Sequence, residues 1–139
     1  MLDLPYAVEG ARREAEKRGL SERYTAVAGD FFATVPEADL YLLKMVLHDC
    51  DDRRCVEILP NCRVAVRPGG RALIVERLIG ELGRPDFATC ADMIMLSVTQ
   101  GGMERDLEEY DALFAASGWR RTGTHPVGGG YSLLTVETA

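Results

Sequence analysis

The segment LYLLKMVLHDCDD, residues 40–52, constrains the fold of this chain more than any other stretch. Its first part is apolar except for Lys44, and a near-continuous apolar run is typical of a strand buried on both faces of a sheet. The run ends in His48, which a group of aspartates follows. The pattern therefore predicts a buried strand over residues 38–46, with the histidine just beyond its end.

Helical and strand patterns alternate along the rest of the chain. The predicted helices cover residues 6–18, 51 or 52 to 66, 87–99 and 106–118. The other predicted strands cover residues 24–28 and 71–78 and the two arms of a hairpin within 119–137, and RPGG, residues 67–70, is predicted to be a turn. This order predicts an α/β fold whose sheet is mostly parallel, with an antiparallel hairpin at its C-terminal edge.

Two of the predicted helices have distinctive residues. Asp106 and Glu109 are spaced as the N-cap and third residue of a capping box, and Gly118 is suited to end that helix. Pro60 falls inside the helix that follows the aspartate group, where a proline costs ~3 kcal/mol unless the helix bends. We therefore expect a kink there.

Composition narrows the class of protein. The 139 residues are 47% hydrophobic, which favours a single domain spanning residues 1–139, and the net charge of −6 disfavours a nucleic-acid partner. No apolar segment reaches the ~18 residues that cross a bilayer, and there is no secretory signal pattern, so we expect a soluble, cytoplasmic protein. Four cysteines without C-x-x-C spacing are expected to be buried thiols in a reducing compartment.

Four polar residues lie at or just after predicted strand ends, where ligands bind in open α/β sheets. They are Asp3, Asp30, His48 and Glu76. An imidazole at such a place can accept a proton near neutral pH, although a solvated or capping histidine fits the same spacing. Glu76 and Glu104 could orient and stabilise that imidazole, or they could be ordinary surface acids.

Seven blocks carry a resemblance to a known family. In order along the chain they are DLP, GDFF, ADLYLLKMVLHD, GGRALIVE, DMIML, GGMERDLEEYDALFAASGW and the closing hairpin. The sequence resembles the C-terminal catalytic domain of S-adenosylmethionine-dependent O-methyltransferases that act on hydroxyls of small aromatic and polyketide-like acceptors. The resemblance implies a Rossmann-like class I methyltransferase sheet and methyl transfer without a metal.

The resemblance also implies roles for individual residues. His48 would be the general base, with Glu76 and Glu104 beside it. Asp3 would bind the ribose of the cofactor S-adenosylmethionine, Asp30 and Phe31 its adenine, and Lys44 would lie along it. The residues expected to border the acceptor pocket are Asp49, Asp92 and Met95, although a methionine at helical spacing is more often part of a core.

The sequence departs from the family pattern in three places. Cys50 stands where the family usually has Trp, and Asp106 where it commonly has Thr. The family's first strand, glycine-rich loop and N-terminal dimerisation domain are not matched, so we expect a partial catalytic domain that forms a homodimer when that domain is present. Two alternatives remain open: a relative that uses the cofactor site for another reaction, such as hydroxylation, and a non-catalytic remnant or interaction module.

Overall fold

The computed structural model describes residues 1–81, 83, 84 and 86–139. Its helices are α1 (Pro5–Lys17), α2 (Asp52–Ala65), α3 (Phe87–Val98) and α4 (Leu107–Ala116). Its strands are β1 (Leu2–Asp3), β2 (Val27–Ala28), β3 (Ala38–Lys44), β4 (Val66–Glu76), β5 (Trp119–Gly128) and β6 (Tyr131–Thr138). A short 3-10 turn, Leu47–Asp49, lies between β3 and α2.

The strands form two separate sheets. One is a four-stranded sheet in the order β3-β4-β6-β5, and the other pairs β1 with β2. The β1–β2 and β3–β4 pairs are parallel, whereas β6 runs antiparallel to both of its neighbours. The predicted α/β class and the antiparallel C-terminal hairpin are therefore confirmed, in a sheet of mixed direction.

The hydrophobic core lies between the four-stranded sheet and helices α2 and α4. The side chains with no exposed surface include Ile74, Leu134, Val136, Leu59, Tyr110 and Phe114. Trp119 closes this core at the start of β5, and its indole N–H donates to the Leu59 carbonyl at 2.9 Å. Burying an indole requires such a partner for its N–H. The core supports one face of β3, so the end of β3 has a fixed position.

Two strand predictions need correction. The strand predicted over 24–28 is only Val27–Ala28, because its parallel partner β1 is two residues long and the ladder has just the pairs Leu2↔Val27 and Asp3↔Ala28. The predicted turn RPGG lies inside β4 instead. The pairing of β4 with β3 jumps from Ala38↔Val66 to Leu40↔Arg71, so this segment forms an irregularity in the strand.

Glycine explains why the RPGG segment can lie against β3. Gly69 has a φ of +79°, which favours glycine. A Cβ on Gly70 would lie 2.7 Å from the Asp39 carbonyl oxygen, which is closer than side chains tolerate. The two glycines therefore allow the extra residues of β4 to fold back without separating the strands.

The helix ends largely follow the sequence signals. Asp51 caps α2 by accepting from the Arg54 N–H at 2.9 Å, and the helix continues through Pro60 to Ala65. The capping box of Asp106 and Glu109 is confirmed, since both of its hydrogen bonds are present.

The cysteine prediction is wrong for one thiol: Cys90 is exposed on α3, whereas the other three are buried.

Helix lengths also bear on membrane insertion. Within the described ranges, none of the helices combines the length and the apolar character that crossing a bilayer requires.

Candidate active site

The backbone turns sharply where β3 ends. Met45 has a φ of +53°, unusual for a residue with a side chain, and its N–H donates to the Val75 carbonyl at 3.0 Å. The chain then enters the 3-10 turn that contains His48. His48 is only 5% exposed, so the alternative of a solvated histidine is wrong: the turn folds its imidazole back against the protein.

A buried carboxylate partners the imidazole. His48 Nδ1 lies 3.1 Å from Glu104 Oε1, and the Glu104 side chain is almost inaccessible. This hydrogen bond raises the pKa of His48 above its ordinary value, against the opposing effect of burial, and the negative charges of Glu76, Glu104 and Asp49 add to the rise. The carboxylate also fixes the orientation of the ring, which leaves Nε2 as the other nitrogen for chemistry.

Glu76 supports the same turn through its backbone. It is the last residue of β4 and has no exposed surface, and its Oε1 accepts from the N–H groups of Val46 and Leu47 at 3.0 and 2.9 Å. Burial raises the pKa of Glu76 to about 7. Among the described hydrogen bonds, Glu76 thus binds the backbone N–H groups just before His48, and its role toward the imidazole stays a prediction.

The three side chains form a dense ionisable cluster. One donor atom from each of His48, Glu76 and Glu104 lies within 4.8 Å of the other two, a spacing that could also hold a metal ion. Glu76 Oε1 and Glu104 Oε1 already have donors of the protein itself. These three residues, called the triad below, contain one side-chain hydrogen bond among the described contacts, between His48 and Glu104. The other carboxylate oxygens, Glu76 Oε2 and Glu104 Oε2, are buried without a hydrogen-bond partner in the described structure. Metal-free chemistry stays a prediction.

The segment that carries Glu104 is held by α3 and by a close backbone contact. The Glu104 N–H donates to Asp92 Oδ1 at 2.8 Å. Asp92, which was predicted to border the acceptor pocket, therefore uses this oxygen to hold the backbone of Glu104. A Cβ on Gly102 would lie 2.5 Å from the His48 carbonyl oxygen. Only glycine lets this segment approach the histidine turn so closely.

The other predicted acceptor residues lie around the histidine and on α3. Asp49 is exposed, and its Oδ1 is 3.5 Å from His48 Nε2. Met95 is half-buried on α3. Cys50 is buried directly after the turn, and burial raises the pKa of its thiol.

The predicted cofactor residues are far less enclosed. Asp3 and Asp30 are exposed, at or just beyond the ends of the parallel strands β1 and β2, so both belong to the same edge of that pair. Phe31 is half-buried, and the Asn61 side-chain amide donates to its carbonyl at 2.8 Å. Lys44 Nζ lies 5.6 Å from the centre of the Tyr131 ring.

Comparison with known proteins identifies the family. Residues 1–120 match the O-methyltransferase domain. The chain belongs to the O-methyltransferase family. It is 39% identical over 138 residues to the phenazine O-methyltransferase PhzM of Lysobacter antibioticus, covering 99% of this chain and 40% of that protein. It is 41% identical over 131 residues to the mitomycin biosynthesis 6-O-methyltransferase of Streptomyces lavendulae, covering 94% and 37% of the two proteins.

A solved structure supports the same assignment. The O-methyltransferase NcsB1 from neocarzinostatin biosynthesis, in complex with S-adenosylmethionine and 2-hydroxy-5-methyl naphthoic acid, is 34% identical with a TM-score of 0.90. The comparison covers 99% of this chain and 40% of NcsB1. The chain thus spans about 40% of the length of the curated relatives that it matches.

Three residues with contacts around the site were not predicted from the sequence. They are Gly102, Asn61 and Arg105. The paired glycines before Met103 were a possible signal for a close backbone approach. Asn61 and Arg105 act through partners far away in the sequence, so their local context gives no comparable signal.

Proposed function

We propose that this chain forms the cofactor-binding and proton-transfer part of an enzyme that methylates a hydroxyl of a small aromatic or polyketide-like acceptor. S-Adenosylmethionine would supply an electrophilic methyl group, whose bond to sulfur would break as the bond to the acceptor oxygen forms, so that S-adenosylhomocysteine would be the leaving group. The observation that carries the proposal is the buried pair of His48 and Glu104. Glu76 supports this pair by accepting from the Leu47 N–H, next to His48. Family membership and the relatives named above support the reaction class.

His48 would act through its Nε2 atom. With Nδ1 held by Glu104, Nε2 can accept the hydroxyl proton as the acceptor oxygen forms its bond to the methyl carbon. The proton then remains on the imidazole, and the charge of Glu104 stabilises the cation. The raised pKa of His48 makes it a stronger base, but it also means that the base is neutral only at higher pH.

The exposed strand-end residues would hold the cofactor. Asp3 uses Oδ1 to accept from the Leu4 N–H at 2.8 Å, and its exposed carboxylate still has acceptor capacity for the two hydroxyls of a ribose. Asp30 and Phe31 lie in a loop that Asn61 ties to α2, which suits a surface for an adenine ring. Lys44 would lie beside the cofactor at the end of β3. These residue types fit the proposed cofactor.

The acceptor would enter beside His48. Asp49 is an exposed acid whose Oδ1 lies 3.5 Å from Nε2, and Met95 offers a half-buried thioether on α3. Asp92 would contribute to the same wall while its Oδ1 holds Glu104. The buried Cys50, in place of the usual Trp, supports an acceptor that differs in shape from those of typical relatives.

Composition bears on the partners of the chain. The net charge of −6 supports the absence of a nucleic-acid partner. A homodimer and a cytoplasmic location stay predictions.

Methyl transfer from labelled S-adenosylmethionine to a panel of phenols and hydroxynaphthoates tests the proposal. We expect transfer to oxygen with a rate that rises with pH through an apparent pKa above 6.5, as His48 loses its proton. A hydroxylated product without methyl transfer would favour the alternative reaction. Cofactor binding without any reaction across the panel would favour a non-catalytic module.

A further inference from the structure

Arg105 is the residue that follows Glu104, and its side chain has no exposed surface. Burying a guanidinium is costly unless its charge and all its donors are paired. A charged residue in the polar segment GGMERD would ordinarily be expected at the surface. Its complete burial beside the triad therefore requires an explanation.

All five N–H donors of Arg105 have acceptors. Nε and one N–H of Nη2 donate to Asp52 Oδ1 at 3.0 and 2.8 Å. The other acceptors are the carbonyls of Cys50 at 2.8 Å, Leu47 at 3.1 Å and Met103 at 3.3 Å. A planar guanidinium has five N–H donors in fixed directions, so it can bind several acceptors at the same time. A lysine ammonium, with three rotatable donors, cannot do this.

The acceptors surround the histidine turn. Leu47 precedes His48 and Cys50 follows Asp49, so the guanidinium holds the turn on both sides. The backbone of Arg105 makes a further link: its carbonyl accepts from the Ile79 N–H at 3.0 Å, and it pairs with Leu78. This link fixes the Glu104–Arg105 segment against the chain that leaves Glu76.

We propose that Arg105 is a positioning residue that sets the distance between His48 Nδ1 and Glu104 Oε1 by holding the histidine turn and the Glu104 segment together. Tests of this inference that measure turnover rest on the proposed function, whereas the titration of His48 does not. The ionisable groups that act on His48 are Glu104, Glu76 and Asp49, and the described ion pair of Arg105 is with Asp52. Arg105 therefore acts on the imidazole through geometry.

The variant Arg105→Lys keeps the charge and removes the fork. Because the turn and the Glu104 segment would then be less firmly held, the bond between Nδ1 and Oε1 should lengthen. We expect the pKa of His48, measured by NMR titration of its ring nitrogens, to fall toward about 6.5. In a preparation with methyl-transfer activity, kcat should fall roughly 10-fold, with the pH–rate profile moved to lower pH and the KM for the cofactor within about 2-fold.

The chain offers a matched control. Arg121, on β5, also pairs with an aspartate through two hydrogen bonds: its Nε and Nη2 donate to Asp111 at 2.7 and 2.6 Å. Arg121→Lys should lower stability without changing the titration of His48.

A double variant is equally informative. In a Glu104→Gln background, Arg105→Lys should hardly change the His48 titration further, because the bond between His48 Nδ1 and residue 104 is already altered.

The outcomes separate this inference from the proposed function. A shifted His48 titration without any loss of turnover would support the positioning role and count against His48 as the base. A folded Arg105→Lys protein with an unchanged His48 titration would overturn the inference. If that variant does not fold, Asp52→Ala decides, because it removes two of the five bonds at an exposed acid: a downward shift of the His48 pKa supports the inference and an unchanged one overturns it.

Discussion

The proton-transfer cluster and the cofactor residues are built in opposite ways. His48, Glu76 and Glu104 are all buried, and their hydrogen bonds join residues that are 29 to 56 positions apart. Asp3 and Asp30 are exposed, and their side chains bond only to backbone groups one or two residues away in the described structure. The first region is fixed by tertiary packing, whereas the second depends on short local turns.

This difference determines what a substitution should do. In the buried cluster each polar group supports another, so a change there alters both the chemistry and the fold around it. At the exposed strand ends a side chain can be removed without leaving a buried group unpaired, so the effect should be confined to ligand binding. The following predictions test that separation.

The largest effect is expected for His48→Ala. In a preparation with methyl-transfer activity, turnover should fall roughly 100-fold or more, because proton removal is lost while the cofactor contacts remain. Steady-state kinetics and calorimetry with the cofactor measure the two effects separately. His125→Ala, at an exposed histidine of β5, is the control. Retention of most of the turnover would remove His48 from the mechanism.

Asp3→Ala should have the reverse effect. Loss of an acceptor for two ribose hydroxyls should weaken cofactor binding by about 1.5–3 kcal/mol, with a smaller effect on saturated turnover. Calorimetric titration with the cofactor measures the loss. Asp39→Ala removes another exposed acid, at the start of β3, and should leave affinity unchanged. Equal affinities for wild type and Asp3→Ala would contradict the ribose assignment.

Gly102→Ala should affect the fold around the cluster. Its Cβ would lie 2.5 Å from the His48 carbonyl oxygen and from Thr99 Oγ1, so the turn or the glycine segment must move. We expect a loss of about 1–3 kcal/mol of unfolding free energy, measured in urea. Gly10→Ala is the control, because a Cβ there meets nothing within 4 Å and removal of a helical glycine favours α1. Equal stability changes for the two variants would argue against tight packing at Gly102.

The same contrast explains how much of the fold the sequence could predict. Helix α4 was predicted because its signals are local: Asp106 and Glu109 form the capping box, and Gly118 follows its end with a φ of +73°. Strand β3 was predicted because it is a near-continuous apolar run. The extent of β2 was not, since it depends on pairing with a two-residue partner elsewhere in the chain.

The candidate site shows the same limit. The positions of His48 and Glu76 near strand ends could be inferred from the sequence, because parallel strands bring their carboxyl ends to one edge. The burial of His48 against Glu104 could not, since Glu104 and the neighbouring Arg105 come from a distant segment. That Oδ1 of Asp92 binds the Glu104 backbone could likewise be seen only once α3 was placed beside this segment.

The smallest expected effect concerns the pH dependence of stability. Burial raises the pKa of Glu76 to about 7, above its value in an unfolded chain, so the folded state binds this proton more tightly. The resulting stabilisation is fully present below about pH 4.5 and is lost as the pH rises through about 7. His48, whose pKa is also raised, adds a loss of the same sign that begins near its ordinary value of about 6.5.

Glu76→Gln should remove the Glu76 part of this slope. A glutamine carries no charge at any pH and keeps an oxygen for the N–H groups of Val46 and Leu47. The stability of the variant relative to wild type should therefore rise with pH between about 5 and 6.5, by at most ~1.4 kcal/mol per pH unit, the limit for one proton. Urea unfolding at several pH values measures this difference, with Glu57→Gln on the exposed side of α2 as the control for loss of a surface charge. A difference that does not change with pH would mean that Glu76 is ionised in the folded protein throughout this range, and its buried charge would then lie close to His48 at each of these pH values.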